Sequence, residues 1–128
     1  ETNTSQMRCV TTVPDDWIIG TDINYEIFWS PANNAAGNLF LEFDHASFGV
    51  GDDVSTSFTD TNLPIQTVAV NTQLKLYSAS AAIPAADIIA NEIQNFRFRR
   101  NPGNALDTYT GDMNIHMIRM SYTGKKLR

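Results

Sequence analysis

Residues 93–122 constrain the fold most tightly, because two runs of period-two alternation there flank a polar connection. In IQNFRFRR, Phe96 and Phe98 fall on one face and Arg97 and Arg99 on the other. In MNIHMIRMSY, Ile118, Met120 and Tyr122 oppose Arg119 and Ser121. Successive side chains of a strand point to opposite faces, so each run reads as a half-buried strand. Two such strands around NPGNALDTYTGD imply a sheet with one dry face and one wet face. The apolar parity changes within the second run, from Ile115 and Met117 to Ile118 and Met120. A β-bulge near Met117 reconciles the two halves.

The rest of the chain carries the same signature. Met7 to Val13 is a first strand, stopped at Pro14-Asp15-Asp16, since proline lacks a ladder donor and aspartate favours turns. Ile23, Tyr25, Ile27 and Trp29 alternate with Asp22, Asn24, Glu26 and Phe28 in the cleanest strand. A one-residue slip would expose all four large residues, so its register is strongly specified. Leu39, Leu41 and Phe43 continue the pattern as a third strand. Gly49 to Pro64 reads as a loop with a short edge strand near Ser55 to Phe58, and Ile65 to Val70 and Gln73 to Ser80 are β-rich. Pro84 to Asn95 fits a short helical turn or irregular connection as well as it fits strand. The expected architecture is all-β: an antiparallel two-sheet sandwich of about seven to eight strands.

At 128 residues the chain suits one domain spanning residues 1–128, with 1–5 and 123–128 expected as frayed or linker tails. Glu1 in place of a methionine reads as a processed product or a piece of something longer. The formal net charge of −5 repels phosphate, so a nucleic-acid partner is not expected. No apolar run has the length of a membrane span, and no membrane insertion is expected. Cys9, the one cysteine, forms no internal disulfide and suits a small buried hydrophobe in a chain folded in a reducing cytosol.

Few residues suggest chemistry. Asp44, His45 and Ser47 contain the letters of a catalytic triad, but neighbours on a strand face opposite ways, and no Gly-x-Ser-x-Gly elbow is present. His45 and His116 are the two histidines, and a strand-end histidine satisfied by local hydrogen bonds is the plainer reading. Asp52, Asp53 and Asp60 in one loop and Asp107 and Asp112 in another lack the close spacing that calcium requires, so no metal is expected. Trp29 belongs to the core face, whereas Trp17 and Tyr109 are the candidates for stacking a sugar. Arg100 has the apolar parity and is expected to be partly buried against an acid such as Asp107.

A set of short motifs running from Gln6 to Tyr122 resembles a C-terminal β-sandwich module of bacteriophage virion proteins. These are Pro14-x-Asp16-Trp17 with Gly20-Thr21-Asp22, a strand closing on Ile27-Phe28-Trp29, then Ala36-Gly37-Asn38. Phe96-Arg97-Phe98-Arg99-Arg100, Asp107-Thr108 and Gly111-Asp112 before a strand ending in Tyr122 complete the set. Asp87 to Glu92 departs from it, where a tight turn would be expected. The resemblance implies a jelly-roll-like fold on a tail fibre, tailspike or decoration protein, made in the host cytoplasm and carried on the virion. It implies no cofactor and no catalytic residue. The implied partners are further copies of the chain in a homotrimer, other virion proteins, and a host-surface glycan or protein. A carbohydrate-binding module of a larger enzyme, using Trp17 and Tyr109, is the alternative.

Overall fold

A computed structural model describes residues 6–54 and 58–126. Nine strands appear among them: β1 (Gln6–Thr12), β2 (Ile23–Pro31), β3 (Gly37–Leu39), β4 (Leu41–Phe48), β5 (Thr59–Asn62), β6 (Gln66–Val68), β7 (Tyr77–Ile83), β8 (Ile93–Arg100) and β9 (Met113–Tyr122). One sheet has the order β1-β8-β4-β5 and the other β7-β2-β9, with every pairing antiparallel. The chain passes from one sheet to the other between β1 and β2 and again at each step from β7 to β9, giving a two-sheet antiparallel sandwich. A third, two-stranded ribbon pairs β3 with β6.

The alternation of β2 explains why the sheets face each other. Ile23, Tyr25, Ile27 and Trp29 are all buried, and they meet Phe43 of β4 and Phe96 and Phe98 of β8 in one core. Ring centroids of Tyr25 and Phe96 lie 4.0 Å apart, and those of Phe43 and Phe98 5.0 Å apart. Burying each such side chain is worth about 1.5–3 kcal/mol, so this face alone dominates the fold's stability. Along β9 the register runs from Phe28 opposite Met117 to Trp29 opposite Ile115, which leaves His116 as the extra residue of a bulge. The parity change at Met117 therefore has the expected cause. His116 turns its ring to Ser30, 2.8 Å away.

Two expectations need correction, and a third falls mostly outside the described residues. Leu39 and Leu41 do not share one strand: β3 ends at Leu39, and β4 begins at Leu41 in a different sheet. Phe40 makes the break, its amide bonding to the Asp107 carboxylate and its carbonyl to the Asn101 amide. The edge strand of the long loop is β5 at Thr59–Asn62; Ser55, Thr56 and Ser57, where it was expected to begin, lie outside the described residues. Residues 123–126 are also no loose tail up to Lys125, because the Thr123 carbonyl and Lys125 amide bond to Ile18 and Asp16. The 1–5 segment lies outside the described residues. Between β7 and β8, residues 85–87 form one 3-10 turn, and Asn91, at φ 66°, turns the chain into β8.

Trp29 is fully buried and stacks on Tyr77 with centroids 4.9 Å apart. Trp29→Ala is expected to cost about 3–5 kcal/mol in urea unfolding. Val10→Ala, on the outer face of β1, is expected to stay within about 0.5 kcal/mol.

Candidate functional site

Three polar clusters hold the chemistry-bearing side chains. The first is built around Arg100, which the inward parity of β8 carries into the end of the core. Its Nε donates to Asp107 Oδ2 at 2.9 Å and one terminal nitrogen donates to Asp107 Oδ1 at 2.6 Å. The same guanidinium donates to the Tyr109 and Gly111 carbonyls, which brings four of its five N–H donors into use. A buried cation requires this degree of pairing, because its desolvation costs several kcal/mol. Asp107 in turn accepts from the Phe40 amide, Thr108 Oγ1 accepts from the Asn38 amide at 2.9 Å, and the Tyr109 hydroxyl donates to Asn33 Oδ1 at 3.0 Å. The contact is close enough that a Cβ on Gly37 would sit 2.6 Å from the Tyr109 Cα.

This cluster decides the place of Tyr109. Its ring is buried, at 3% exposure, under the Arg100 guanidinium. Trp17 is likewise buried, at 4% exposure, with its indole nitrogen donating to the Thr21 carbonyl at 3.1 Å. Neither ring presents a face to solvent, so the expected sugar-stacking pair is replaced by two structural aromatics. The Asp107-Thr108 motif gave no sign that Tyr109 would be folded under it, because Tyr109 stands in a polar loop without alternation.

The second cluster contains His45, which shares a hydrogen bond with Asp87 at 3.0 Å. Asp44 faces the other side of the strand, as alternation requires. Ser47 donates to the Asp87 carbonyl and accepts from Gln94, both at 2.8 Å. The hydroxyl is thus committed to holding the 3-10 turn against β4 and β8, with buried Gln94 completing the plug.

The third cluster lies on the outer face of the four-stranded sheet, where register aligns Asp60, Asp44 and Arg97 across β5, β4 and β8. Asp44 is fully buried although its parity is the wet one. Arg97 pairs with it directly, Arg99 bridges Glu42 at 2.7 Å, and Arg8 and Arg97 both lie 5.1 Å from the Phe58 ring. Burial pushes the Asp44 carboxyl above its ordinary value, and a hydrogen bond with Asp60 adds to the rise against the pull of Arg97 and Arg99. This arrangement sets the Asp44 and Asp60 carboxyl groups in register beside the Arg97 guanidinium. The sequence alone gives Asp44 the wet parity, because the partners that bury it lie on other strands and are not readable from one strand. Among the described residues, no group of three or more His, Cys, Asp or Glu is arranged to hold a metal.

Comparison with known proteins adds nothing to this geometry: no family model matches the chain, and neither a curated protein nor a solved structure matches it significantly.

Two outcomes follow. Asp107→Ala strands the Arg100 charge and is expected to cost about 3–5 kcal/mol, whereas breaking the exposed Arg119–Glu26 pair with Arg119→Ala costs at most about 1 kcal/mol; urea denaturation separates them. Asp44 binds its proton more tightly folded than unfolded, so its contribution is fully present below the unfolded-chain value of about 3.9 and is lost as pH rises through the raised folded value. Stability measured across that window is expected to fall more steeply in the parent than in Asp44→Asn, and identical slopes would refute the assignment.

Proposed function

We propose that this domain is a non-enzymatic structural module of a bacteriophage particle, part of a tail fibre, spike or decoration protein, that assembles as a homotrimer. The observation that carries the reading is an apolar loop held outward. Between β6 and β7, Val70, Leu74 and Leu76 are exposed at 61%, 70% and 60%. Exposed aliphatic residues gathered on one connection mark a surface that is covered in use.

The loop is rigidly mounted. Asn71 and Gln73 donate from their amides to the Asn34 carbonyl and side chain at 3.1 Å, Gln73 Nε2 reaches the Ala32 carbonyl at 2.9 Å, and the Leu74 amide bonds to the Pro31 carbonyl. Leu74 adopts a left-handed φ of 65°, which strains a residue with a branched side chain. That strain is compensated by the fixed loop and yields a leucine directed away from its own core. A preorganised apolar contact binds without a large ordering cost.

The two-sheet antiparallel sandwich agrees with the resemblance to phage projection modules. In this reading three copies multiply weak contacts with a host-surface glycan or protein through effective concentration, and other virion proteins hold the assembly on the particle.

Light scattering across dilution is expected to give the mass of three chains, and the double variant Leu74→Asp/Leu76→Asp is expected to give one chain with unchanged circular dichroism. A parent that is monomeric at every concentration overturns the proposal. A trimer indifferent to the double variant removes the loop from the contact.

A further inference from the structure

The three-stranded sheet ends at β9, which lies across the core from β1, an edge of the four-stranded sheet. Among the described residues β9 pairs on one side only, with β2. Its ten residues leave the outward backbone groups available as a ladder template. Below this edge the inward side chains are incompletely covered. Met113, Ile115, Ile118 and Met120 of β9 pack on the core yet stay half-buried, as does Cys9 on facing β1.

Two recesses mark where the covering is absent, one on each side of the His116 bulge. The larger, about 210 Å³, is bounded by Cys9, Tyr25, Phe96, Ile118 and Met120. The smaller, about 60 Å³, is bounded by Phe98, Met113 and Ile115 among others. A void of about 150 Å³ accepts a benzene ring, so the larger recess has room for an aromatic side chain and the smaller for a short aliphatic one. The Tyr25 hydroxyl, buried beside the larger recess, meets no hydrogen-bond partner among the described residues. Burial raises its phenol to about 12, so it stays a donor at any physiological pH.

Charge selects the occupant. β9 carries His116 and Arg119 on its outer side and no Asp or Glu. Arg119 pairs with Glu26 and is still well exposed. A second β9 laid alongside would bring another Arg119 and no carboxylate, whereas acidic residues on the outer side of an added strand would meet Arg119 favourably.

We propose that the β9 edge accepts one added strand: an extended segment of another protein, with apolar residues at alternate positions entering the two recesses and acidic residues between them. This is β-augmentation, in which main-chain hydrogen bonds supply affinity and pockets for alternate side chains supply specificity. It is independent of the trimer reading, because the loop of Val70, Leu74 and Leu76 takes no part in it.

The test uses the full chain and synthetic peptides of about ten residues in which Glu alternates with Val, with a single Phe at one apolar position, read by amide exchange in nuclear magnetic resonance. The peptide is expected to slow exchange at the alternate β9 amides that face away from β2. Replacing each Glu by Lys is expected to weaken binding by about tenfold or more, and Arg119→Glu to reverse that preference. Replacing the Phe by Ala is expected to weaken binding as well. Unchanged β9 exchange at millimolar peptide overturns the proposal. So does binding that ignores peptide charge, or β9 protection in the free protein that grows with its own concentration, which would make a second copy the occupant.

Discussion

One buried cation governs how the connections of this sandwich are arranged. Arg100 arrives in the core because β8 alternates, and a guanidinium there must be neutralised and hydrogen-bonded or expelled. Asp107 and the carbonyls of Tyr109 and Gly111 meet that demand, which fixes the path of the whole β8–β9 connection. The effect spreads outward. Asp107 also takes the Phe40 amide, so the break between β3 and β4 depends on the same carboxylate. Tyr109, pinned beneath Arg100, reaches Asn33 in the β2–β3 connection.

That dependence explains what could be read from the chain and what could not. Alternation specified β2 and β8 well, since every inward residue from Ile23 to Trp29 is large and a register slip would expose them all. The same parity argument placed Arg100 against Asp107 and located the β9 bulge. It failed at Leu39 and Leu41, where the letters alternate without interruption but Phe40 is drawn away by Asn101 and Asp107. Local pattern has no term for a long-range hydrogen bond. Trp17 and Tyr109 failed for a related reason: each stands in a turn-rich stretch, and only pairing with Thr21 or Arg100 determines that the ring points inward. Asp44 is the converse, a residue of wet parity made dry by Arg97 and its neighbours.

The polar groups of the interior and the apolar groups of the surface then divide the labour. His45, Ser47, Gln94 and Asp87 close one end of the sandwich, and the Arg100 cluster fastens the connections at the end of β8. These networks spend their hydrogen bonds on holding the fold. The surface features work differently. The rigid β6–β7 loop and the outer edge of β9, unpaired among the described residues, both expose groups, one through aliphatic side chains and the other through backbone and half-filled recesses. A scaffold this firmly tied can present both without rearrangement, which suits association by preformed surfaces.

The claim that the Arg100–Asp107 lock belongs to the cooperative core is tested most directly by native-state hydrogen exchange at the amides it organises. Phe40 donates to the Asp107 carboxylate, Asn101 to the Phe40 carbonyl and Tyr109 to the Asn38 carbonyl, all in or beside this cluster. The account predicts that these amides exchange only with global unfolding, at the free energy measured for the central strand β2. Exchange at the fast rates of a fraying loop, while β2 remains protected, would contradict it.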